Sequence, residues 1–501
     1  MATLQSGELE HPYYTTYQSR WLMIRDVLAG KRDIDLRGET YLPKPSDYTD
    51  DRYKAYQTRA VFYNATARTL EGYQGAIFRK EAEVTVPSGI EYIREDADGQ
   101  GNTLTQFAKQ VARDVIPQGR CGVMVDFPSS EGIVTLADER ENNIQGHFAA
   151  FSPETILNWG TVRIGAKTVL SFVIVEEGII DGIQQGDIRD EDRVYLKMYL
   201  DESGEYVQER YKAGTALDDK GEEYRVYNSF EKHKPTQIGG KPLHYIPFIF
   251  IGSETFSPKP NTPPFYDLAQ LNLAHYRNSA DFEQSVFMIG QPTSYITGLD
   301  KNFIEENKGN LTIGSSVTWL LPDQATVGLL ESKADRPLIK TAMDMKEQEM
   351  VGLGARIIQD ATSKGSEAAE SVHLRRSGEA SQLACVADNI SDAFEKLFTW
   401  LADWIGSSGD IRYRLNKDFY ATRLSHQDVL ALITAWQSGA ISHSVLLNNL
   451  RGGEIISELK TNEDVMDEIE EEGPAPGMEP EAITPVPGEE DATESGTPSD
   501  T

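Results

Sequence analysis

Few residues in this chain have the types and spacing that catalytic chemistry requires. The sequence has no G-x-x-x-x-G-K-[ST] run to hold a nucleotide phosphate, and no H-E-x-x-H, C-x-x-C or G-x-S-x-G pattern. Asp96–Gly99 resembles the start of a calcium-binding loop but lacks the later ligands, so we predict an acidic surface turn there. The sequence motifs therefore identify no catalytic site, no metal site and no cofactor site.

The histidines also give no clear site. His233 and His244 lie eleven residues apart in a β-rich region without a neighbouring carboxylate cluster, and a metal site needs three or four converging ligands. His275 lies on the apolar stripe of a predicted helix. A packing role is favoured over a general base, because the sequence shows no reacting partner for it.

A short polar segment, Asp360–Ser366, lies between two long predicted helices and is bracketed by basic side chains. Nearby glutamates make solvated charges one interpretation, but the position at a helix junction keeps a functional role open. The basic residues are Arg356, Lys364, Arg375 and Arg376. Methionines on the preceding helix could form an adaptable binding face, although core or subunit packing is the commoner role; they are Met343, Met345 and Met350.

The overall charge argues against tight binding of nucleic acid. The 501 residues carry 79 acids and 48 bases, a formal net charge of −31. Fourteen acids and no Lys or Arg fall in residues 462–501, which leaves a net charge of −17 for residues 1–461. A broad basic face, needed to grip phosphates or anionic lipid, is therefore not expected.

Length and cysteine content limit the protein class. A chain of 501 residues is long enough for two to four domains. The two cysteines, Cys121 and Cys385, cannot build a disulfide framework, and we expect both to be buried small apolar residues. Residues 1–12 lack a basic region followed by an apolar run, and no stretch reaches the roughly 18 apolar residues of a membrane helix. We expect a soluble protein made in a reducing compartment, without membrane contact.

The amino-terminal half combines helices with a sheet. Apolar spacing predicts helices over 13–30, 50–77 and 103–116. Short β-rich runs separated by Gly-rich or charged turns then predict an antiparallel meander between residues 119 and 251. The predicted strands are 121–127, 169–175, 193–200, 222–229 and 246–251.

The carboxy-terminal half has a more unusual order. A helix over 266–289 is followed by β-like runs at 294–297, 316–321 and 326–330, and Pro337 then opens a helix to about residue 359. A helix over 367–405 has one apolar stripe and is far longer than the globular average. A strand at 412–415, helices at 426–437 and 442–450, and an acidic, Pro-rich tail predicted to be disordered complete the chain.

Several long strings, with this element order, resemble the portal protein of tailed double-stranded-DNA bacteriophages. They cover roughly residues 12–460 and include Trp21–Gly30, Tyr41–Pro43, Arg59–Leu70, Gly75–Lys80, Phe151–Trp159, Leu271–Glu283, Gln291–Pro292, Ile296–Gly298 and Leu353–Arg356. The resemblance implies an α+β portal fold, whose parts we assign as follows. They are a β-rich wing (1–265), a first stem helix (266–290), a small β clip (291–335), a second stem helix (336–358), a tunnel loop (359–370), a very long wing helix with a strand (371–424), a helical crown (425–461) and the disordered acidic tail (462–501).

The resemblance also implies a function without catalysis. Portal proteins form a homo-oligomeric ring of about twelve subunits at one capsid vertex of the virion, assembled in the host cytoplasm. The ring nucleates head assembly with major capsid and scaffold proteins, docks the terminase large subunit, conducts double-stranded DNA, and later binds a head-completion or adaptor protein. By this resemblance Lys364 and Gly365 belong to the tunnel loop that faces the channel, and Arg356, Arg375 and Arg376 either line the same constriction or form salt bridges between subunits. The clip contacts are Trp319, Leu320 and Leu321, although Trp319 could equally belong to the core of a small β unit.

Two other classes remain open from the sequence. One is another ring-forming head-to-tail adaptor of the virion, although such adaptors are usually shorter and lack the helix–clip–helix order. The other is a hydrolase or nuclease with an acidic site, for which the sheet region has carboxylates but no spaced metal-binding set.

Overall fold

The computed structural model describes residues 3–127, 145–179, 193–217, 223–237, 240–290, 293–306, 321–330, 336–354, 369–419, 426–453, 455–457 and 460–472. The chain divides into two units, Met1–Phe419 and Tyr420–Thr501. Helices and antiparallel sheets both contribute to the first unit, which confirms the predicted α+β class. No helix among these residues is long and apolar enough to cross a membrane.

Six helices form the amino-terminal layer. They are α1 (Ser6–Leu9), α2 (Pro12–Ala29), α3 (Lys31–Arg37), α4 (Asp50–Arg59), α5 (Ala65–Ile77) and α6 (Leu104–Gln118). Helix α2 ends at Gly30, as predicted, because a φ of 99° there suits glycine.

The single helix predicted over 50–77 is wrong. Helices α4 and α5 are separate because Asn64 caps α5, its side chain accepting a hydrogen bond from the backbone N–H of Ala67. Between them, the Val61 N–H donates to Ser279 Oγ on a distant helix. The chain between α4 and α5 is therefore held by a tertiary contact and a helix cap instead of helical hydrogen bonds.

The predicted meander is only partly right: three of its five strands lie in one antiparallel sheet of six strands, whereas the runs at 121–127 and 246–251 belong to a second sheet. The six strands are β1 (Thr3–Gln5), β5 (Ile156–Ile164), β6 (Lys167–Ile179), β7 (Arg193–Leu200), β8 (Tyr206–Leu217) and β9 (Glu223–His233), in the order β1-β9-β8-β7-β6-β5. The sequence did not predict β1, β5 or β8. Strand β8 mixes Gln208, Glu209 and Arg210 into its apolar pattern, and burial of Gln208 and Glu209 hides the alternation.

A second, three-stranded sheet lies against the long helix and forms the main core. Its order is β10 (Phe248–Gly252), β3 (Arg120–Asp126) and β4 (His147–Phe151). The long helix, α10, spans Ala369–Ile405, and its predicted stripe is buried: Leu383, Val386, Ile390, Phe394, Leu397, Leu401 and Trp404. Strand β13 (Arg412–Arg414) then pairs with β2 (Glu83–Thr85), which ties the chain after α10 back to the amino-terminal layer.

In the chain, the segment between the last strand of the core sheet and α10 forms two helices that flank a two-stranded sheet. They are α7 (Tyr266–Gly290) and α9 (Arg336–Gly352), and the strands are β11 (Thr293–Thr297) and β12 (Thr326–Leu330). The short helix α8 (Lys301–Glu306) was not predicted. Helix α9 ends at Gly352 rather than near residue 358, because Leu353 and Gly354 form a turn and Gly354 has a φ of 142°.

The second unit is helical, with α11 (His426–Gln437), α12 (His443–Gly452) and α13 (Asn462–Glu472). The disordered tail predicted from residue 462 is wrong over α13. The hydroxyl of Thr461 accepts from the Asp464 N–H while the Asp464 carboxylate accepts from the Thr461 N–H, a reciprocal cap that starts the helix. Residues 473–501 of the predicted tail lie outside the described residues.

Candidate functional site: the paired helices and their small sheet

The unit built from α7, β11, β12 and α9 contains His275 and the α9 methionines that the sequence singled out. Helices α7 and α9 pack against each other, and β11 and β12 pair antiparallel from Thr293–Leu330 to Thr297–Thr326. The two strands thus project as a hairpin-like unit from a two-helix base. We call this unit the stem–clip unit (266–354).

One buried polar contact joins the two helices. His275 is 3% exposed, and its Nε2 lies 3.2 Å from Glu347 Oε1 on α9. The histidine therefore packs within the helix pair, as the sequence predicted. Met350, one of the three methionines of α9, is buried, whereas Met345 is 56% exposed.

The base of α7 is fixed to the amino-terminal helices by a buried amide. Asn272 Oδ1 accepts from both the N–H and the hydroxyl of Thr66, at 3.2 and 2.9 Å, and Asn272 Nδ2 donates to the Tyr63 carbonyl at 2.8 Å. All the hydrogen-bonding capacity of the Asn272 oxygen is thus used in one contact with α5. This fixes the rotation of α7 about its axis.

Further along α7, tyrosines bind carboxylates. The Tyr56 hydroxyl donates to Asp281 at 2.7 Å, and the Tyr276 hydroxyl donates to Asp35 at 3.0 Å. Burial, together with the hydrogen bond to the neighbouring carboxylate, raises the pKa of Tyr56 well above its ordinary value. The phenol therefore stays protonated and remains a donor at any physiological pH.

The far end of the stem–clip unit leaves apolar side chains in solvent. At the end of α7, Val286, Phe287 and Met288 are 40, 37 and 39% exposed. The small sheet and its surroundings add Tyr295, Ile304, Val327 and Leu329, and α9 adds Leu338. A single chain rarely exposes so many large apolar groups close together unless another surface covers them.

Charge along the two helices is nearly balanced. Helix α7 carries Asp267, Asp281, Glu283 and one arginine, whereas α9 has three acids and three bases. A helix surface of this composition does not attract phosphate groups strongly. Among the described residues, no group of three or more His, Cys, Asp or Glu is placed to hold a metal ion.

The predicted channel residues lie mostly beyond what the structure describes. Arg356, Lys364 and Gly365 fall outside the described residues, and Arg375 and Arg376 lie in the first two turns of α10. The chain is described up to Gly354, where an added Cβ would meet the Tyr73 hydroxyl of α5 at 2.6 Å. The described end of this helical segment, at Gly354, therefore lies close to α5 of the amino-terminal layer.

The predicted clip contacts are only partly placed. Trp319 and Leu320 fall outside the described residues, and Leu321 is half-buried just before β12. The structure adds residues that the sequence did not single out, above all Glu347 and Asn272. Asn272 could have been noticed as a polar residue on the helix face that also carries Leu268, Ala269 and Tyr276.

Comparisons with known proteins cover the same region. A family model described as "Domain of unknown function (DUF4055)" matches residues 264–405, which run from the start of α7 to the end of α10. Curated proteins give no match.

Among solved structures, the chain is similar to chains from gene transfer agent particles. A chain in "Virion of native gene transfer agent (GTA) particle" is 12% identical, covers 82% of this chain and 94% of its own length, and has a TM-score of 0.39. A chain in "Neck of native GTA particle computed with C12 symmetry" is 11% identical, covers 83% and 97%, and has a TM-score of 0.39. One in "Neck of empty GTA particle computed with C6 symmetry" is 11% identical, covers 81% and 94%, and has a TM-score of 0.40. Function must therefore be argued from the residues themselves.

Proposed function

We propose that this chain is a structural component of the head or neck of a phage-like particle and, more specifically, its portal protein. About twelve copies form a ring at one capsid vertex, with the α7 and α9 helices around a central channel. The ring nucleates head assembly, docks the terminase, passes double-stranded DNA in both directions and later binds the tail connector. The chain itself performs no catalysis.

The observation that carries this proposal is the stem–clip unit. Two helices, tied at their base to the amino-terminal layer, hold a two-stranded sheet away from the core, and α10 follows. The exposed apolar groups at its far end, such as Phe287 and Leu329, are covered when copies lie side by side in a ring. The portal-like strings in the sequence cover the same helices.

The charge of the protein suits a conducting channel. A wall that neutralised many phosphates would hold DNA through counterion release and resist sliding. The near balance of charge on α7 and α9 and the net −17 of residues 1–461 give weak repulsion of DNA at contact range, screened beyond about 8–10 Å. In the proposal, few basic residues touch DNA: Arg356, Lys364, Arg375 and Arg376, with Gly365 allowing the loop to bend.

Electron microscopy of the purified protein tests the proposal directly. Rings of about twelve copies with a central hole are expected. Monomers or dimers at high concentration contradict it. Metal-dependent nuclease and nucleotidase assays should show no turnover, and turnover abolished by a carboxylate substitution would favour the hydrolase alternative.

The channel assignment needs its own test in assembled particles. Lys364→Glu should lower the length of DNA packaged or retained, because a basic contact becomes a repulsive one. Lys54→Glu, on the exposed face of α4, is a control of equal charge change. If both variants package and retain DNA like the parent protein, Lys364 does not contact DNA.

A further inference from the structure

The first unit contains an open cleft that no part of the proposed function uses. It has a volume of about 850 Å³. One wall is the β5–β6 hairpin, with Thr161, Ile164 and Thr168 facing the opening, and the other is α10 at Trp400. Residues 161–168 of the hairpin are all exposed, so this wall projects from the body of the sheet.

The cleft has two polar groups that lack partners. The Tyr245 hydroxyl is buried and has no hydrogen-bond partner, although its ring stacks on Trp400 at 5.6 Å. Lys396 Nζ lies 5.0 Å from the Trp400 ring and pairs with no carboxylate among the described residues. Burial lowers the pKa of Lys396. The Tyr245 hydroxyl is closed off from the opening, but the Lys396 ammonium at the cleft would gain a partner from an incoming carboxylate.

The remaining charges of the cleft do not cancel this preference. Lys167 adds a second cation to the lining. Asp392, the acid of the lining, is already paired with Arg414 at 2.6 Å. His244 faces the Gly204 carbonyl at 3.1 Å. The cleft is therefore apolar with a net positive edge, inside a strongly acidic protein.

A matching projection lies elsewhere on the same chain. The outer half of the β8–β9 hairpin extends into solvent, where Leu217 is 66% and Tyr224 is 44% exposed, and Glu223 is exposed between them. The described end of the projection thus offers two apolar side chains and the carboxylate of Glu223.

The cleft and the projection lie at opposite sides of the six-stranded sheet. The cleft adjoins β5 and β6 at one edge, whereas β8 and β9 lie at the other side, next to β1. The turn of the β5–β6 hairpin and the turn of the β8–β9 hairpin are also at opposite ends of the strands, since successive strands are antiparallel. One copy therefore cannot fill its own cleft, but it can fill that of the next copy in a head-to-tail interface.

We propose that the outer β8–β9 hairpin of one copy binds in the cleft between the β5–β6 hairpin and α10 of the adjacent copy. Leu217 and Tyr224 contact the apolar lining, and the Glu223 carboxylate accepts a hydrogen bond from the Lys396 ammonium. This inference rests on the proposed function, because it names the contact that joins neighbours in the ring.

Charge exchange between two variants tests the contact. Lys396→Glu and Glu223→Lys should each raise the concentration needed for half-maximal ring formation by about tenfold, because like charges then face each other across the interface. An equimolar mixture of the two variants should recover rings, since each cleft can then bind an oppositely charged hairpin from the other variant. Lys54→Glu is the control and should form rings as the parent does. Circular dichroism of each variant establishes that it is folded.

Cross-linking gives an independent readout. In a Cys385→Ser background, Leu217→Cys and Thr168→Cys together should form disulfide-linked ladders of copies under mild oxidation, and either substitution alone should not. If the parent forms rings but the charge variants assemble normally and no ladder appears, this contact is wrong while the proposed function stands. If the parent forms no rings at all, the proposed function fails and this contact fails with it.

Discussion

Asp114 gives the sharpest quantitative prediction in the structure. Its carboxylate lies on α6, and its side chain is only 15% exposed. Arg25 Nη2 contacts it at 3.1 Å, but the same guanidinium also binds Glu154 at 2.7 Å. Burial, reinforced by the negative charge of Glu154, outweighs the attraction of Arg25 and raises the pKa of Asp114 to about 6.

The sign of the effect follows from proton binding. An unfolded aspartate has a pKa near 3.8, so the folded state binds the proton more tightly. The contribution of Asp114 to the free energy of unfolding is therefore largest below pH about 4 and falls as the pH rises to about 6. At about 1.4 kcal/mol per pKa unit, the full difference is about 3 kcal/mol.

Asp114→Asn should remove this pH dependence. The amide resembles the protonated acid, so the variant should match the parent near pH 4 and be more stable by up to about 3 kcal/mol at pH 7. The measurement is urea unfolding, followed by circular dichroism, at four pH values between 4.5 and 7.5. The quantity compared is the difference in unfolding free energy between variant and parent.

A matched control uses an aspartate whose pKa is lowered, not raised, by its surroundings. Asp50 is fully exposed, and the hydrogen bond and charge of Lys44 lower its pKa. Asp50→Asn should therefore lose stability above pH about 4 rather than gain it. A difference between Asp114→Asn and the parent that stays constant from pH 4.5 to 7.5 would refute the assignment of a buried, proton-retaining carboxyl.

Three further outcomes are expected. Tyr56→Phe leaves the Asp281 carboxylate without its 2.7 Å donor, so the free energy of unfolding should fall by about 1–3 kcal/mol. Hydrogen exchange in α7 should become faster, and an unchanged exchange rate contradicts the anchoring role. Gly298→Ala should open the β11–β12 pair and lower the free energy of unfolding by about 1–3 kcal/mol, because Gly298 has a φ of 79° and an added Cβ would overlap the Gln324 carbonyl. The measurement is the protection of the β11 amides from hydrogen exchange, which should decrease. Phe394→Ala should lower the unfolding free energy by about 3–5 kcal/mol in urea titrations, since the ring is fully buried; a loss below 1 kcal/mol would mean that the core repacks.

Elements with one strong periodicity were predictable from the sequence. The stripe from Leu383 to Trp404 repeats every three or four residues, and the whole of it is buried in α10. Strand 193–200 was predicted with its observed bounds, because polar turns flank its β-branched and aromatic residues.

The failures have local physical causes. The break at 60–64 depends on a cap at Asn64 and a contact between Val61 and Ser279, which are 218 residues apart in the sequence. Strand β8 was missed because Gln208 and Glu209 are buried polar residues, satisfied only by the folded sheet; Glu209 accepts from the Tyr199 hydroxyl at 3.0 Å. Pairwise contacts of this kind leave no periodic signal.

Part of the candidate site was predictable from the sequence, and part of it was not. Sequence spacing predicted the helices α7 and α9 and the packing role of His275, since both predictions depend on helical periodicity. The partner of His275 could not be predicted, because Glu347 is one of several acids on α9 and only the packing of the two helices selects it. The channel and clip residues rest on the resemblance and remain predictions.

The length and packing of α10 determine how force passes through the molecule. Thirty-seven residues of uninterrupted helix are about 55 Å long at 1.5 Å per residue. Its carboxy-terminal part is clamped by a close-packed aromatic core that includes Phe394, Phe398 and Trp404. A continuous helix passes a displacement of its backbone to the residues that pack against it, so a load on α10 reaches this aromatic core. The side chains there are fully buried and have little room to absorb it.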